Sequence, residues 1–346
     1  MRANDTSRRG FAHMLKTRFC RDLGIDHPIL SAPLGGGTAG PELAAAVCDA
    51  GGFGFLGMGG LPALVIREQI RETRRRTSRP FGAGLLLPLL EGGEIEACVD
   101  ERVSALLFFW GDVAPHMEKA KRAGIRVFAQ VGSVGEAKAA AAAGVDAIVA
   151  QGYEAGGHVR GTTSIVTLVP AVCQAVAPLP VIAAGGIATG RGLVVALGLG
   201  AEAALMGTRF VASEESRASD EYKQRIVRAR AEDTVHTMLF DIGWPDAAHR
   251  VIRNKAVDEW EAAGRPPSGQ RPGEGTIVGQ MRIGDAMTAV PRYFVGAPMI
   301  GFEGDLDYTA LYAGESCNLV NDIKPVATIV RDVVAEAEAV LRELGS

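Results

Sequence analysis

Cysteine is scarce and unpatterned: five residues, odd in number, with no CxxC pair. This argues against a disulfide framework and reads as reduced thiols in a cytoplasm. Long basic runs are absent and the net charge is −4, so nothing points to nucleic acid. No apolar stretch is long and charge-free enough to span a membrane. Ser7-Arg8-Arg9-Gly10-Phe11 has the letters of a twin-arginine export signal, but Lys16, Arg18, Arg21 and Asp22 arrive where an apolar region should follow. Export is therefore set aside. Residues 1–13 read as a flexible extension and Met14 as an alternative start. Neither a P-loop nor an HExxH motif occurs.

What is present suits a large core and many turns. Hydrophobic residues make up 47% of the 346, charged residues 22%, and there are 44 glycines. Short apolar runs alternate with helical stretches. Strands are expected at 28–34, 53–57, 81–87, 105–110, 125–131, 147–151, 180–184 and 203–206. Helices are expected at 41–50, 62–76, 95–102, 114–123, 134–143, 165–176 and 190–197. Continuous apolar strands separated by helices imply a parallel sheet covered by helices. Eight such units imply closure into a (β/α)8 TIM barrel, an α/β fold. After Thr208 the texture changes. Residues 214–232 and 246–263 read as helices, and 264–279 are rich in Gly and Pro. The expected organisation is a barrel of residues 14–212 and 301–346, with a mostly helical lid inserted at 213–300. The tail at 325–344 returns as the final barrel helix.

Four segments bear on chemistry. Gly52-Phe53-Gly54-Phe55-Leu56-Gly57 matches the letters of a dinucleotide-binding GxGxxG. That motif needs a strand before it and a helix after it; here the order is reversed, so it reads as a turn and strand. Gly185-Gly186-Ile187-Ala188-Thr189-Gly190-Arg191 follows the seventh strand and opens a helix, whose N-terminus adds partial positive charge. Met206-Gly207-Thr208 follows the eighth strand. Loops after strands seven and eight form the usual phosphate site of this barrel; the plain alternative is two tight turns. Gln151–His158, on the loop after the sixth strand, places one imidazole at the catalytic face among glycines. Without partner His or Cys ligands it gives little case for a metal. Ala32-Pro33-Leu34-Gly35-Gly36-Gly37 ends the first strand, where backbone can approach a flat ring.

Segments 28–52, 151–158, 185–191 and 207–216 together resemble the nitronate monooxygenases, formerly called 2-nitropropane dioxygenases. The resemblance continues through Asp233-Thr234-Val235, Arg253-Asn254 and Leu311-Tyr312-Ala313-Gly314, and so covers nearly everything after residue 14. FMN-dependent enoyl-acyl-carrier-protein reductases look similar over the same segments. The resemblance implies an FMN whose phosphate is held by Gly185, Gly186, Gly207 and Thr208, with Met206 beside them. It implies Pro33, Leu34, Gln130 and Gln151 along the ring and ribityl chain, with Gly84 at the end of the third strand. Gly156 and Gly157 would let the loop approach the flavin, His158 would be the active-site histidine, and Gly314 and Ser316 would close over the ring edge. There are departures. Val159 intervenes between His158 and Arg160-Gly161, Gly84 stands where many members have Asn, and Glu315 replaces a common glutamine.

The activity implied is FMN-dependent oxidation of alkyl nitronates, or nitroalkanes, by O2 to carbonyl compounds and nitrite, in a cytoplasmic monomer or homodimer. An FMN-dependent enoyl-thioester reductase using NAD(P)H is the first alternative. A non-catalytic barrel that binds a phosphorylated ligand is the second.

Overall fold

The computed structural model describes residues 15–283 and 286–345. The expected 1–13 extension and Met14 lie outside the described residues. Six short strands come first: β1 (Ile29–Ser31), β2 (Phe55–Gly57), β3 (Gly82–Leu86), β4 (Ala105–Phe109), β5 (Arg126–Val131) and β6 (Ala147–Gln151). A two-residue strand, β7 (Gly157–His158), precedes β8 (Val181–Ala184) and β9 (Ala203–Met206). All except β7 form one parallel sheet in the order β1-β9-β8-β6-β5-β4-β3-β2. A parallel bridge between Leu30 and Phe53 joins its ends, with the Phe53 N–H donating to the Ile29 carbonyl at 3.0 Å. The eight expected strands are thus the eight staves of a (β/α)8 barrel.

Alternation along each strand divides the core in two. Leu30, Phe55, Leu107, Phe128, Val149, Ile182 and Leu205 fill the interior. Ile29, Leu106, Phe108, Val127, Ile148 and Val181 face the surrounding helices. Helix α1 (Arg18–Leu23) stoppers the N-terminal end: its Phe19 ring lies 5.7 Å from Phe128, and Thr17, which caps it, donates to the carbonyl of Glu202 just before β9. The helical layer comprises α2 (Pro41–Asp49), α3 (Ala63–Arg76), α4 (Glu94–Asp100), α5 (Ala114–Arg122), α6 (Val134–Ala143), α7 (Ile165–Val176) and α8 (Gly190–Gly198), with the short α9 (Thr208–Val211) after β9. The tail helix, Val326–Leu344, packs against α8 and α2 as the final barrel helix. A Cβ on Gly190 would lie 2.3 Å from the Ala337 nitrogen, so the tail crosses α8 at a distance only glycine permits. The 52–57 glycines serve packing: Cβ atoms at Gly54 and Gly57 would lie 2.1 and 1.8 Å from the Ala44 and Leu34 carbonyl oxygens.

The segment after α9 is not mostly helical. The helix expected at 214–232 is confined to α10 (Asp220–Arg228), because Arg217 and Ser219 donate their N–H groups to the distant Thr38 and Pro298 carbonyls. The helix expected at 246–263 opens instead as β11 (His249–Ile252), which pairs with β10 (Thr234–Thr237) on one side and β7 on the other. Only after Asn254, whose side chain accepts from the Val257 N–H, does α11 (Lys255–Ala262) begin. A hairpin follows, β12 (Ile277–Ile283) against β13 (Ala286–Pro291), with β14 (Glu303–Gly304) beyond β12. Pairing with residues far along the chain decided these elements, a signal that local patterning does not carry.

Candidate active site

The C-terminal ends of the barrel strands open into a cavity of about 600 Å³, within the range of small-molecule and cofactor sites. Of the residues singled out from sequence, Pro33, Leu34, Gly84, Gln130 and Gln151 line it from the strand ends. Gly156, Gly157 and His158 line it from the loop after β6. Gly185, Gly186, Gly207 and Thr208 form its floor near β8 and β9, and Ser316 borders it. Met206 and Gly314 do not reach the wall. Met206 is buried against the helical layer. Gly314 lies behind the lining, where its N–H donates to Thr208 Oγ1 at 2.9 Å and where a Cβ on Gly156 would come within 2.2 Å of its nitrogen.

The two loops after β8 and β9 form a cradle of backbone donors. Gly185 and Gly186 hold φ values of 102° and 70°, in the left-handed region that favours glycine. The N–H groups of Gly185, Gly186, Ile187, Gly207 and Thr208 donate to no protein acceptor among the described residues. Unpaired N–H groups away from bulk water are costly, and five on residues that line one cavity suit an anion. The Thr208 hydroxyl accepts from Gly314 and keeps its own hydrogen for a further partner. At the N-terminus of α8, two donors are already taken within the protein. The Gly190 N–H is taken by the Glu336 carboxylate at 2.8 Å and the Gly192 N–H by Thr189 Oγ1 at 3.2 Å. Lys and Arg are missing from the described lining, and Glu91 is its one charged side chain. The bound anion would therefore be held by dipoles.

His158 sits on β7, held at both ends. Gln151 donates its amide to the His158 carbonyl at 2.9 Å, and its Oε1 accepts from the Arg160 N–H at 3.4 Å. On the other side β7 pairs with β11, His158 opposite His249. Gln151 thus spends its polar atoms on the loop. Burial pushes the His158 imidazole down to about 3, with a smaller effect from His249 nearby. The ring is neutral at pH 7, and its Nε2 has no protein partner although it is buried. His249 is fixed as a neutral ring by geometry: Nδ1 donates to the Ala247 carbonyl at 2.8 Å while Nε2 accepts from the Phe240 N–H at 3.3 Å. Burial brings it to about 4.

Two features of the site escaped sequence reasoning. Trp244 lies face to face with His158, ring centroids 4.1 Å apart and planes at 30°, and Tyr312 lies at 5.5 Å. A Trp between Gly243 and Pro245, buried despite a turn-like surrounding, was the available signal. The run Leu85, Leu86, Pro88, Leu89 and Leu90 gives the cavity an apolar lining, to which Met281 and Met299 add. The departures from the family pattern have local causes. A Cβ on Gly84 would lie 2.2 Å from the Pro33 ring, so no larger side chain fits beside this Pro33. Val159 is buried and donates its N–H to the Ala248 carbonyl, extending the pairing beyond β7. Glu315 pairs at 3.4 Å with the buried Arg250, away from the cavity.

A family model described as nitronate monooxygenase matches residues 16–105 and 91–336. The chain belongs to the nitronate monooxygenase family. A nitronate monooxygenase of Paraburkholderia phytofirmans is 32% identical, over 93% of this chain and 95% of that protein. A (3aS,4S,5R,7aS)-5-hydroxy-7a-methyl-1-oxo-octahydro-1H-indene-4-carboxyl-CoA dehydrogenase of Mycobacterium tuberculosis is 35% identical over 72% of this chain and 70% of that one. Among solved structures, FabK from Thermotoga maritima superposes with a TM-score of 0.76 at 32% identity, covering 95% of this chain and 98% of its own. Membership in this family makes the chain an oxidoreductase.

Proposed function

We propose that this enzyme binds one FMN and oxidises alkyl nitronates, or the nitroalkanes from which they form, with O2, giving carbonyl compounds and nitrite. The observation that carries the reading is the juxtaposition, in one cavity, of a cradle of unpaired N–H groups and a neutral histidine with a free Nε2. The cradle fits the phosphate of FMN. Gly185, Gly186, Gly207 and Thr208 would hold that phosphate, with Met206 and Gly314 supporting from behind. Pro33, Leu34, Gly84, Gln130 and Gln151 would border the ring and ribityl chain, and Gly156, Gly157 and Ser316 its edge. When bound, FMN supplies the electron transfer and oxygen chemistry that side chains lack.

The chain's own task is to receive and orient the substrate. His158 lines the cavity, and its Nε2, neutral and without a protein partner, is the atom we assign to take the α-proton of a neutral nitroalkane. The imidazolium so formed would face the nitronate anion, and that attraction offsets the burial that disfavours its charge. A nitronate bound directly would be met by the same nitrogen once protonated. Residues 213–300 act in this reading as a lid over the barrel formed by 14–212 and 301–346; Trp244, Met281 and Phe294 of that segment line the cavity.

A second reading has support in the relatives: the chain is 35% identical to a protein named for a carboxyl-CoA substrate, so reduction of an enoyl thioester by NAD(P)H stands as the alternative. Aerobic assays separate the two. Nitrite release from simple alkyl nitronates without NAD(P)H is expected. NAD(P)H-dependent loss of an enoyl thioester, with no nitrite from any nitronate, would replace the first reading by the second.

A further inference from the structure

Trp244 is not among the residues that the family resemblance assigns to the site, yet of the aromatic rings around His158 among the described residues it lies nearest. The stack, at 4.1 Å between centroids, lies in the cavity wall, and Trp244 is itself buried. Two independent features fix its place. Behind it, the buried Arg271 guanidinium donates to the Leu239 carbonyl at 2.8 Å and to Asp241 Oδ1 at 2.7 Å. The Asp241 carbonyl in turn accepts the Trp244 N–H at 3.0 Å, so the Gly- and Pro-rich stretch that supplies Arg271 pins the turn that carries the indole. Beside it, Trp110 just after β4 meets Trp244 edge to face, with centroids 5.2 Å apart, and holds φ at 67°. A left-handed backbone is costly for so bulky a residue and persists only where surroundings impose it.

We infer that Trp244 is a specificity-determining residue: its indole face fixes the plane of the His158 imidazole and closes the cavity around the reacting carbon, so that it sets the bulk a substrate may carry there. This rests on the proposed role of His158 at that carbon. A rigid aromatic wall discriminates by steric exclusion, and one methylene too many against such a wall costs about 10-fold or more in relative kcat/KM. Arg271 acts through Trp244 as a positioning residue.

The test compares the FMN-loaded parent enzyme with Trp244→Ala and Trp244→Phe, using linear and α-branched nitronates of equal carbon number. In Trp244→Ala the branched-to-linear ratio of kcat/KM should rise by about 10-fold, with FMN content unchanged, and Trp244→Phe should keep most of the parent's ratio. Should Trp244→Ala fail to accumulate, Trp244→Leu carries the same comparison. Proton NMR of the His158 ring gives a readout without turnover: stacking on the indole should shift its carbon-bound protons upfield, and Trp244→Ala should abolish that shift. If the parent releases no nitrite, the proposed reaction fails, and the wall is tested by titrating linear and branched nitroalkanes as ligands against the same resonances. An unchanged ratio, of rates or of affinities, overturns the inference even if the ring signals move.

Discussion

At the scale of single residues, the account turns on a histidine kept neutral by burial. Substituting His158→Ala should lower the oxidation of neutral nitroalkanes by about 10²–10⁴-fold, the range for a positioned acid–base group. Preformed nitronates need no carbon deprotonation and should suffer less. Equal small losses for both forms, measured at matched flavin content, would leave His158 without its assigned role. His249 makes a prediction about stability. Its imidazole titrates near the ordinary 6.5 when unfolded and is brought down to about 4 by burial when folded. Between those values the unfolded chain binds a proton that the folded chain refuses. Stability from this group is therefore intact above about pH 6.5 and is lost as pH falls toward 4. The fall in Tm between pH 7 and 5 should be shallower in His249→Gln than in the parent; an identical slope would contradict the burial argument. His158 was legible in the sequence because a lone imidazole among glycines after a barrel strand is a local pattern. Trp244 was not, because its importance lies in a ring 86 positions earlier in the chain, brought beside it by the β7–β11 pairing.

At the scale of elements, the glycine loops after β6, β8 and β9 carry the cofactor proposal. Gly186→Asp would set a carboxylate where a phosphate is assigned, at a φ of 70° that Asp tolerates better than most side chains, so the charge is the main change. The variant should elute from gel filtration without flavin absorbance; normal FMN content would refute the phosphate assignment. Gly156→Ala tests the support behind that site. Its Cβ would lie 2.2 Å from the Gly314 backbone, so overpacking should cost about 1–3 kcal/mol in denaturant unfolding. Loss of flavin alongside would tie the two loops to one function, while unchanged stability would show that they part without cost. The barrel strands could be read ahead of the structure because strands covered on both faces are continuous apolar runs. β11 could not. His249 and Arg250 interrupt any apolar pattern there, yet both are buried: His249 accepts from the Phe240 N–H and Arg250 donates to the carbonyl of Tyr153, far back in the chain. The same holds at the expected helix N-terminus of α8, where the Gly190 N–H is taken by Glu336 from the far end of the chain.

At the scale of the whole molecule, the barrel is stoppered at one end by α1 and open at the other, where Trp244, Met281 and Phe294 of the segment after α9 join the cavity wall. The cavity between offers backbone dipoles and apolar walls with one carboxylate and no cation among its described lining residues. Such a site favours a cofactor that brings its own chemistry and a substrate small and largely apolar. The most direct test is an anaerobic titration of the purified, FMN-loaded protein, followed by flavin absorbance, first with an alkyl nitronate and then, on fresh enzyme, with NADH. The account predicts that the nitronate bleaches the oxidised flavin band and that NADH does so slowly or not at all. Rapid bleaching by NADH with no response to the nitronate would contradict it.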